Sequence, residues 1–344
     1  MRRNKSVKTI GAGAAGAAAL ILFISGVYRL PPSRVYLGDA AAYVNLWPQD
    51  GDPLAASLRA SQRECHLQYR DHLAPDSFDR CTTPGKGGKF IYLVGNSHAQ
   101  HLVPMLERVS RERGYGYSAL TISNCRLISA FQVVESIDFR FDLCKEYFDY
   151  SVREIGKRAK TGDLVLFGAR SFLEKPSASD EDKPSGVYDE NRRLSARKAY
   201  EKSAADIAAF AKVMGARGVS LVFTGPTPEF GLPATQCVPE WFRSSKSGCE
   251  VALGPLLQQK KAYADFITAT TAGSGEGSLW DPLPVLCGAE SCVPFKDGRL
   301  LFRDQHHLTV RGSEMLAGDF IKFIDGLEYS VASGRGRPAP AGGR

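Results

Sequence analysis

The chain has 344 residues, 43% of them hydrophobic and 24% charged. That composition allows a globular core and excludes a disordered or collagen-like chain. The formal charge of +7 belongs to the ends, on Arg2, Arg3, Lys5, Lys8, Arg335, Arg337 and Arg344, so the body balances its 37 acidic residues with as many basic ones. A balanced body lacks the concentrated positive field that nucleic acid requires, and no nucleic-acid partner is expected.

Residues 1–9 form a basic segment. Residues 10–28, Ile10 to Tyr28, carry no charge, a length that just spans a bilayer as a helix. Their Gly and Ala content weakens insertion but permits close helix packing. No small-x-small site directly follows Phe23-Ile-Ser-Gly-Val27, so an uncleaved anchor is preferred to a cleaved signal peptide. The basic flank should stay in the cytoplasm and the remainder outside. Pro31-Pro32-Ser33 ends the helix and opens a linker over 29–62.

Eight cysteines follow: Cys65, Cys81, Cys125, Cys144, Cys237, Cys249, Cys287 and Cys292. An even number beyond an export signal predicts disulfides in an oxidising compartment. Many connectivities satisfy the count. The simplest pairs neighbours, 65–81, 125–144, 237–249 and 287–292. No Cys-x-x-Cys supports a metal reading, and neither metal nor cofactor is expected.

The apolar run Phe90 to Val94 reads as a buried strand and Gly95-Asn96 as a turn. Ser97 then stands where a helix begins, at the carboxyl end of the strand. It reads as an N-cap or as a nucleophile. A helix is predicted from there to about Arg113, with Pro104 as a possible kink. His98 and His101 lie close together on it; no third metal ligand is evident, so they read as site-wall or surface groups. Tyr115 to Ile122 reads as the second strand, ending at Ser123-Asn124-Cys125. A helix over 141–160 and a third strand over 163–167 follow, then Gly168-Ala-Arg-Ser171. Residues 174–190 read as a polar loop, 193–215 as a helix, and 219–223 as the fourth strand. Trp241 and Phe242, inside the 237–249 loop, suit a glycan surface or local packing. A helix over 254–271 leads through 278–285 to the last segment.

That segment holds Asp304-x-x-His307, a spacing that lets a carboxylate fix the tautomer of an imidazole and leave its other nitrogen as a base. Thr309 is a plausible cap for a helix carrying Met315, Leu316, Phe320, Ile321 and Ile324 inward. Residues 331–344 read as a disordered tail. Alternating strands and helices predict a three-layer α/β/α sandwich with a mostly parallel sheet.

Gly95-Asn-Ser-His-Ala99 and Asp304-x-x-His-Leu-Thr309 together resemble the first and last blocks of the SGNH (GDSL-like) hydrolases. More narrowly, they resemble the extracytoplasmic SGNH domain of acyltransferase-3 membrane proteins, over roughly Tyr36 to Tyr329. The resemblance implies an SGNH-like, flavodoxin-like catalytic domain over 63–330, anchored by one span in a bacterial inner membrane and facing the periplasm. It implies Ser97 as nucleophile, His307 as base and Asp304 as its orienting partner. Asn96 replaces the family's commoner Asp. The family's oxyanion donors leave candidates rather than matches. Asn124 stands near a usual Gly, and reads also as an ordinary turn residue. Arg170 stands near a usual Asn, and reads also as half of an ion pair. Asn96 and His98 complete the set of residues near the nucleophile.

The implied function is O-acylation of a cell-surface glycan from an acyl donor, with a multispanning membrane acyltransferase as partner. A carbohydrate O-acetylesterase and a catalytically weak glycan-binding module are the alternatives. An α/β-hydrolase fits less well, because Ala99 breaks Gly-x-Ser-x-Gly and the acid and histidine of that fold come from separate loops.

Overall fold

Phe90-Ile-Tyr-Leu-Val-Gly95 lies inside a six-stranded sheet in the computed structural model of the chain. The structure describes residues 64–68, 71–123, 125, 140–170, 204–237, 248–273, 277–296 and 299–332, together with 21, 22 and 25. The sheet strands are β1 (Thr82–Thr83), β2 (Phe90–Gly95), β3 (Gly116–Ser118), β4 (Leu164–Gly168), β5 (Ser220–Thr224) and β6 (Gly277–Trp280). Their order is β1-β3-β2-β4-β5-β6, all parallel except β1, which runs against β3. The chain steps from β2 out to β3, then crosses back to β4 on the other side of β2. Such a reversal opens a crevice beyond the carboxyl ends of β2 and β4, where ligands bind in open α/β sheets.

Side chains alternate across the strands and supply two cores. Ile91, Leu93, Leu164, Leu166 and Val222 pack with α2 (Val103–Arg113) and α6 (Val310–Ala332). Tyr92, Val94, Val165, Phe167, Leu221 and Phe223 pack on the opposite face with α3 (Arg140–Arg158), α4 (204–215) and α5 (Leu253–Thr271). The sheet is thus covered on both sides, and the predicted α/β sandwich with a mostly parallel sheet is the observed one. β4 is buried along its whole length, as its uninterrupted apolar run requires.

Three elements differ from the sequence reading. The helix after Ser97 is two helices, α1 (Ser97–Gln100) and α2, because Pro104 sits in the first turn of α2. A proline there has no N–H for the preceding turn and its ring displaces the carbonyl four residues back. The second strand is also split. Gly116–Ser118 joins the sheet, whereas Thr121–Ile122 pairs with His66–Leu67. The hydrogen bonds from Ala119 N–H to Cys81 O (2.9 Å) and between His66 Nδ1 and Thr121 Oγ1 (2.9 Å) divert it. Finally, Gly277–Trp280 is a sheet strand, read from sequence only as a connection.

The four disulfides join Cys65–Cys81, Cys125–Cys144, Cys237–Cys249 and Cys287–Cys292, the neighbour pairing, and no described cysteine is free. Among the described residues no helix is long and apolar enough to cross a membrane. The anchor predicted over 10–28 lies outside the described residues except for Ile21, Leu22 and Ser25, which are helical. The basic segment, the linker over 29–62, the loop over 174–190, Trp241, Phe242 and the tail beyond Ala332 also lie outside them.

Candidate active site

Two glycines place Ser97. A Cβ on Gly95 would fall 1.8 Å from Gly168 O, and one on Gly168 would fall 2.7 Å from Ala99 Cα. Their bare backbones let α1 settle directly onto the end of β4. Gly95 also has φ near 148°, a region that favours glycine. Its N–H donates to Tyr147 Oη (3.0 Å), and that hydroxyl donates to Leu120 O (2.8 Å). Asn96, not Ser97, is the N-cap: its side-chain Oδ1 accepts from His98 N–H at 2.9 Å. Ser97 is therefore the first helical residue. Its side chain is half-buried, and its N–H has no partner within the helix.

The other half of the site is built on the 300–309 segment. Leu301, Phe302 and Leu308 are fully buried and anchor it. Arg303 N–H donates to His307 O (2.9 Å) and Thr309 N–H to Leu301 O (2.8 Å). Thr309 Oγ1 accepts from Gly312 N–H (2.9 Å), capping α6. Asp304 Oδ1 then accepts from the N–H groups of His306 (2.9 Å) and His307 (2.8 Å). Asp304 Oδ2 lies 2.7 Å from His307 Nδ1, and His307 Nε2 lies 2.8 Å from Ser97 Oγ.

The proton positions follow from the partners. A carboxylate can only accept, so Nδ1 carries the hydrogen and Nε2 offers a lone pair to the Ser97 hydroxyl. Burial alone would raise the Asp304 pKa. The His307 side chain and the two N–H groups outweigh it and hold the carboxyl well below the usual carboxylate range. Asp304 therefore remains anionic beside any charge that His307 acquires. The arrangement can withdraw the serine proton and return it.

Around this line stand more histidines than sequence spacing indicates. His98 and His101 are buried at 3% and 1% exposure. His98 stacks on His306 at 5.1 Å between centroids and 14° between planes, and lies 5.1 Å from His307. Burial, then the facing imidazoles, lowers the pKa of both His98 and His101. His306 is lowered to about 4 by burial, His307 and Arg170. All three rings are neutral at pH 7. The third ligand missing from the sequence exists in space: one ring nitrogen from each of His98, His306 and His307 lies within 4.8 Å of the others. The doublet His306-His307 was the available signal.

Arg170 forms a two-point pair with Glu229, Nε to Oε1 at 2.9 Å and Nη2 to Oε2 at 2.6 Å. Of its two readings, the ion pair is the one observed. Asn124 lies outside the described residues.

A sequence model of the "SGNH domain (fused to AT3 domains)" matches residues 64–322. Among solved structures, the periplasmic domain of a lipopolysaccharide acetyltransferase from Salmonella ser. Paratyphi A is similar, at 15% identity and a TM-score of 0.46. The match covers 80% of this chain and 98% of that one. A GDSL-like lipase from Bacteroides thetaiotaomicron is 16% identical with a TM-score of 0.32, covering 70% of this chain and 90% of that one. A comparison with curated protein sequences finds no match.

Proposed function

The chain belongs to the family of SGNH domains fused to AT3 domains, and on that premise we propose that it is a membrane-anchored, extracytoplasmic O-acyltransferase. It modifies a cell-surface glycan through an acyl-Ser97 intermediate. The observation that carries the reading is the continuous line from Asp304 Oδ2 through His307 to Ser97 Oγ, with links of 2.7 and 2.8 Å.

Ser97 Oγ attacks the acyl carbon of an ester or thioester donor while His307 Nε2 takes its proton. The imidazolium formed is stabilised by Asp304 and hands that proton to the leaving group. A glycan hydroxyl then attacks the acyl-serine. His307 takes the hydroxyl proton and returns it to Ser97 Oγ, so the enzyme emerges unchanged. As the first residue of α1, Ser97 offers an N–H free of intrahelical bonding to the developing oxyanion. Acyl groups reach the site from a multispanning acyltransferase-3 partner, in keeping with the fusion that names the family. In this reading residues 1–9 stay in the cytoplasm, 10–28 span the inner membrane and 63–330 work in the periplasm.

Mass spectrometry of surface polysaccharide, from cells with and without the protein, tests the reaction. Loss of an O-acyl group in its absence supports transfer; a gain identifies an esterase. Folded Ser97→Ala and His307→Ala variants should fail to restore the modification. Full restoration by Ser97→Ala would remove the nucleophile and leave a glycan-binding module.

A further inference from the structure

Four of the chain's six histidines (His98, His101, His306 and His307) meet beside Ser97. The reaction above uses one. We propose that His98, His306 and His307 form a binding site for a single late-transition divalent metal ion of the Zn²⁺ class, and that the ion competes with Ser97 for His307 Nε2.

The donor atoms come first. One nitrogen from each of the three rings lies within 4.8 Å of the others. Zn–N bonds of about 2.0–2.1 Å need ligand atoms roughly 3.3 Å apart in a tetrahedron. Small ring rotations supply the difference, since His306 and His307 are only half-buried. Among the described residues, both nitrogens of the buried His98 ring, and Nδ1 of His306, have no hydrogen-bond partner. Buried imidazole nitrogens are ordinarily satisfied, and a single metal ion would take one lone pair from each ring.

The surroundings select the ion. Mg²⁺ and Ca²⁺ require several oxygen ligands. Among the described residues, the only carboxylate bonded to these rings is Asp304, already engaged by His307 and two N–H groups. An all-imidazole set suits Zn²⁺, Cu²⁺ or Ni²⁺. Asp304 behind His307 Nδ1 forms the carboxylate–histidine pair that raises ligand basicity in zinc sites. His101 stays outside the set: its Nδ1 accepts from Leu308 N–H at 3.4 Å, which leaves the hydrogen on Nε2. Metal on His307 Nε2 breaks the 2.8 Å contact with Ser97. Ion binding is independent of the acyl-transfer reading; inhibition by the ion rests on it.

The experiment uses the full chain without a polyhistidine tag. Zn²⁺ affinity is measured against a chromophoric chelator, and Co²⁺ absorption reports nitrogen ligation. The wild type and Ser97→Ala should each bind one ion. His306→Ala and the non-ligand variant Asp304→Asn should bind about 10–100-fold more weakly, the loss typical of even an outer-shell partner. His98→Ala should do likewise if it folds; His306→Ala decides the matter if it does not. Zn²⁺ should also inhibit turnover of a small acetyl ester by the wild type, reversibly with chelator, and inhibit His306→Ala much less relative to its own metal-free rate. No binding by the wild type, or unchanged affinity in His306→Ala, overturns the site. Neither binding result depends on turnover, so an active Ser97→Ala would defeat the acyl-serine reading without touching this one.

Discussion

Gly168→Ala isolates the contact that seats Ser97. The added Cβ would stand 2.7 Å from Ala99 Cα and 3.0 Å from both Ala99 Cβ and Ala99 N. Carbon atoms rest at about 3.5–4.0 Å, so α1 has to retreat from β4 by roughly an ångström. Two of the three opposing atoms are backbone, so no rotamer change relieves them. Gly168 is not among the positive-φ glycines, and the substitution brings no backbone strain of its own. Overpacking of this kind costs about 1–3 kcal/mol. The same displacement stretches the 2.8 Å contact between Ser97 and His307 beyond hydrogen-bond reach. An ångström of misplacement at reacting groups costs on the order of 10²-fold in rate. Gly168→Ala should therefore fold with a modestly lower Tm and lose about 10²-fold in kcat on a small acetyl ester. Adding Ala99→Gly should restore only part, because it removes the Cβ contact and leaves those to Cα and N. Gly318→Ala on α6, where a Cβ meets nothing within 4 Å, is the control. It should keep full activity and gain about 0.5–1 kcal/mol from lower unfolded-state entropy. Wild-type kcat in a folded Gly168→Ala would refute the claim that this seat sets the serine.

Asp304→Asn should retain the fold and lose about 10⁴-fold in kcat, the cost of the wrong tautomer in a serine-protease triad; rates within tenfold of wild type would show that the carboxylate is dispensable. Stability should fall with acid. His66 is held at about 4, against 6.5, by burial first and then by Arg303 and His307. A histidine depressed in the folded state stabilises fully above its unfolded pKa and loses that contribution as pH drops from 6.5 towards 4. For His66 alone this is roughly 3 kcal/mol, and His98, His101 and His306 act in the same direction. Urea unfolding at pH 7 and 4.5 measures it, and a midpoint that does not move would contradict the buried neutral histidines. Replacing Cys125 and Cys144 by Ala removes a cross-link between residues 19 apart. It should lower stability by about 3 kcal/mol in the chain-entropy estimate, read from the denaturation midpoint and slope together because the freed unfolded chain exposes more surface; unchanged unfolding free energy would show that the bridge adds nothing.

The sequence disclosed what is local and uniform. Phe90–Gly95 and Leu164–Gly168 are unbroken apolar runs covered on both faces, and such strands announce themselves. Asp304 and His307 lie in one turn, so their spacing nearly dictates their contact. Gly277–Trp280 was obscured because only Leu279 and Trp280 are large and apolar, and its partner β5 lies a helix away in sequence. The break in strand 115–122 depends on the arm around Cys65 and Cys81, a tertiary competitor that no periodicity reveals. The stacking of His98 on His306 joins residues from opposite ends of the sheet domain. Spacing on one helix could pair His98 only with His101. For Arg170, both readings are chemically equal in the sequence, because its partner Glu229 lies 59 positions away.

The two links of the catalytic line depend on the fold differently. Asp304 and His307 are joined by the side-chain contact and by the N–H of His307 on Oδ1, all within one turn. They move as a unit, so tautomer control is a local property. The link from His307 to Ser97 spans 210 positions and belongs to the whole domain. It is set where α2 meets α6: Met105 N–H donates to Ser313 Oγ at 3.1 Å, Arg108 Nη1 to Glu314 O at 3.3 Å, and Arg113 pairs with Asp325. Ser97 reaches that contact through α1 and the glycine seat on β4, His307 through Thr309 and the first turn of α6. Any change that slides α2 along α6 therefore alters proton transfer from the serine while leaving the histidine correctly oriented. Substitutions in the helix interface should lower kcat without the tautomer defect of Asp304→Asn, because they lengthen one link and spare the other.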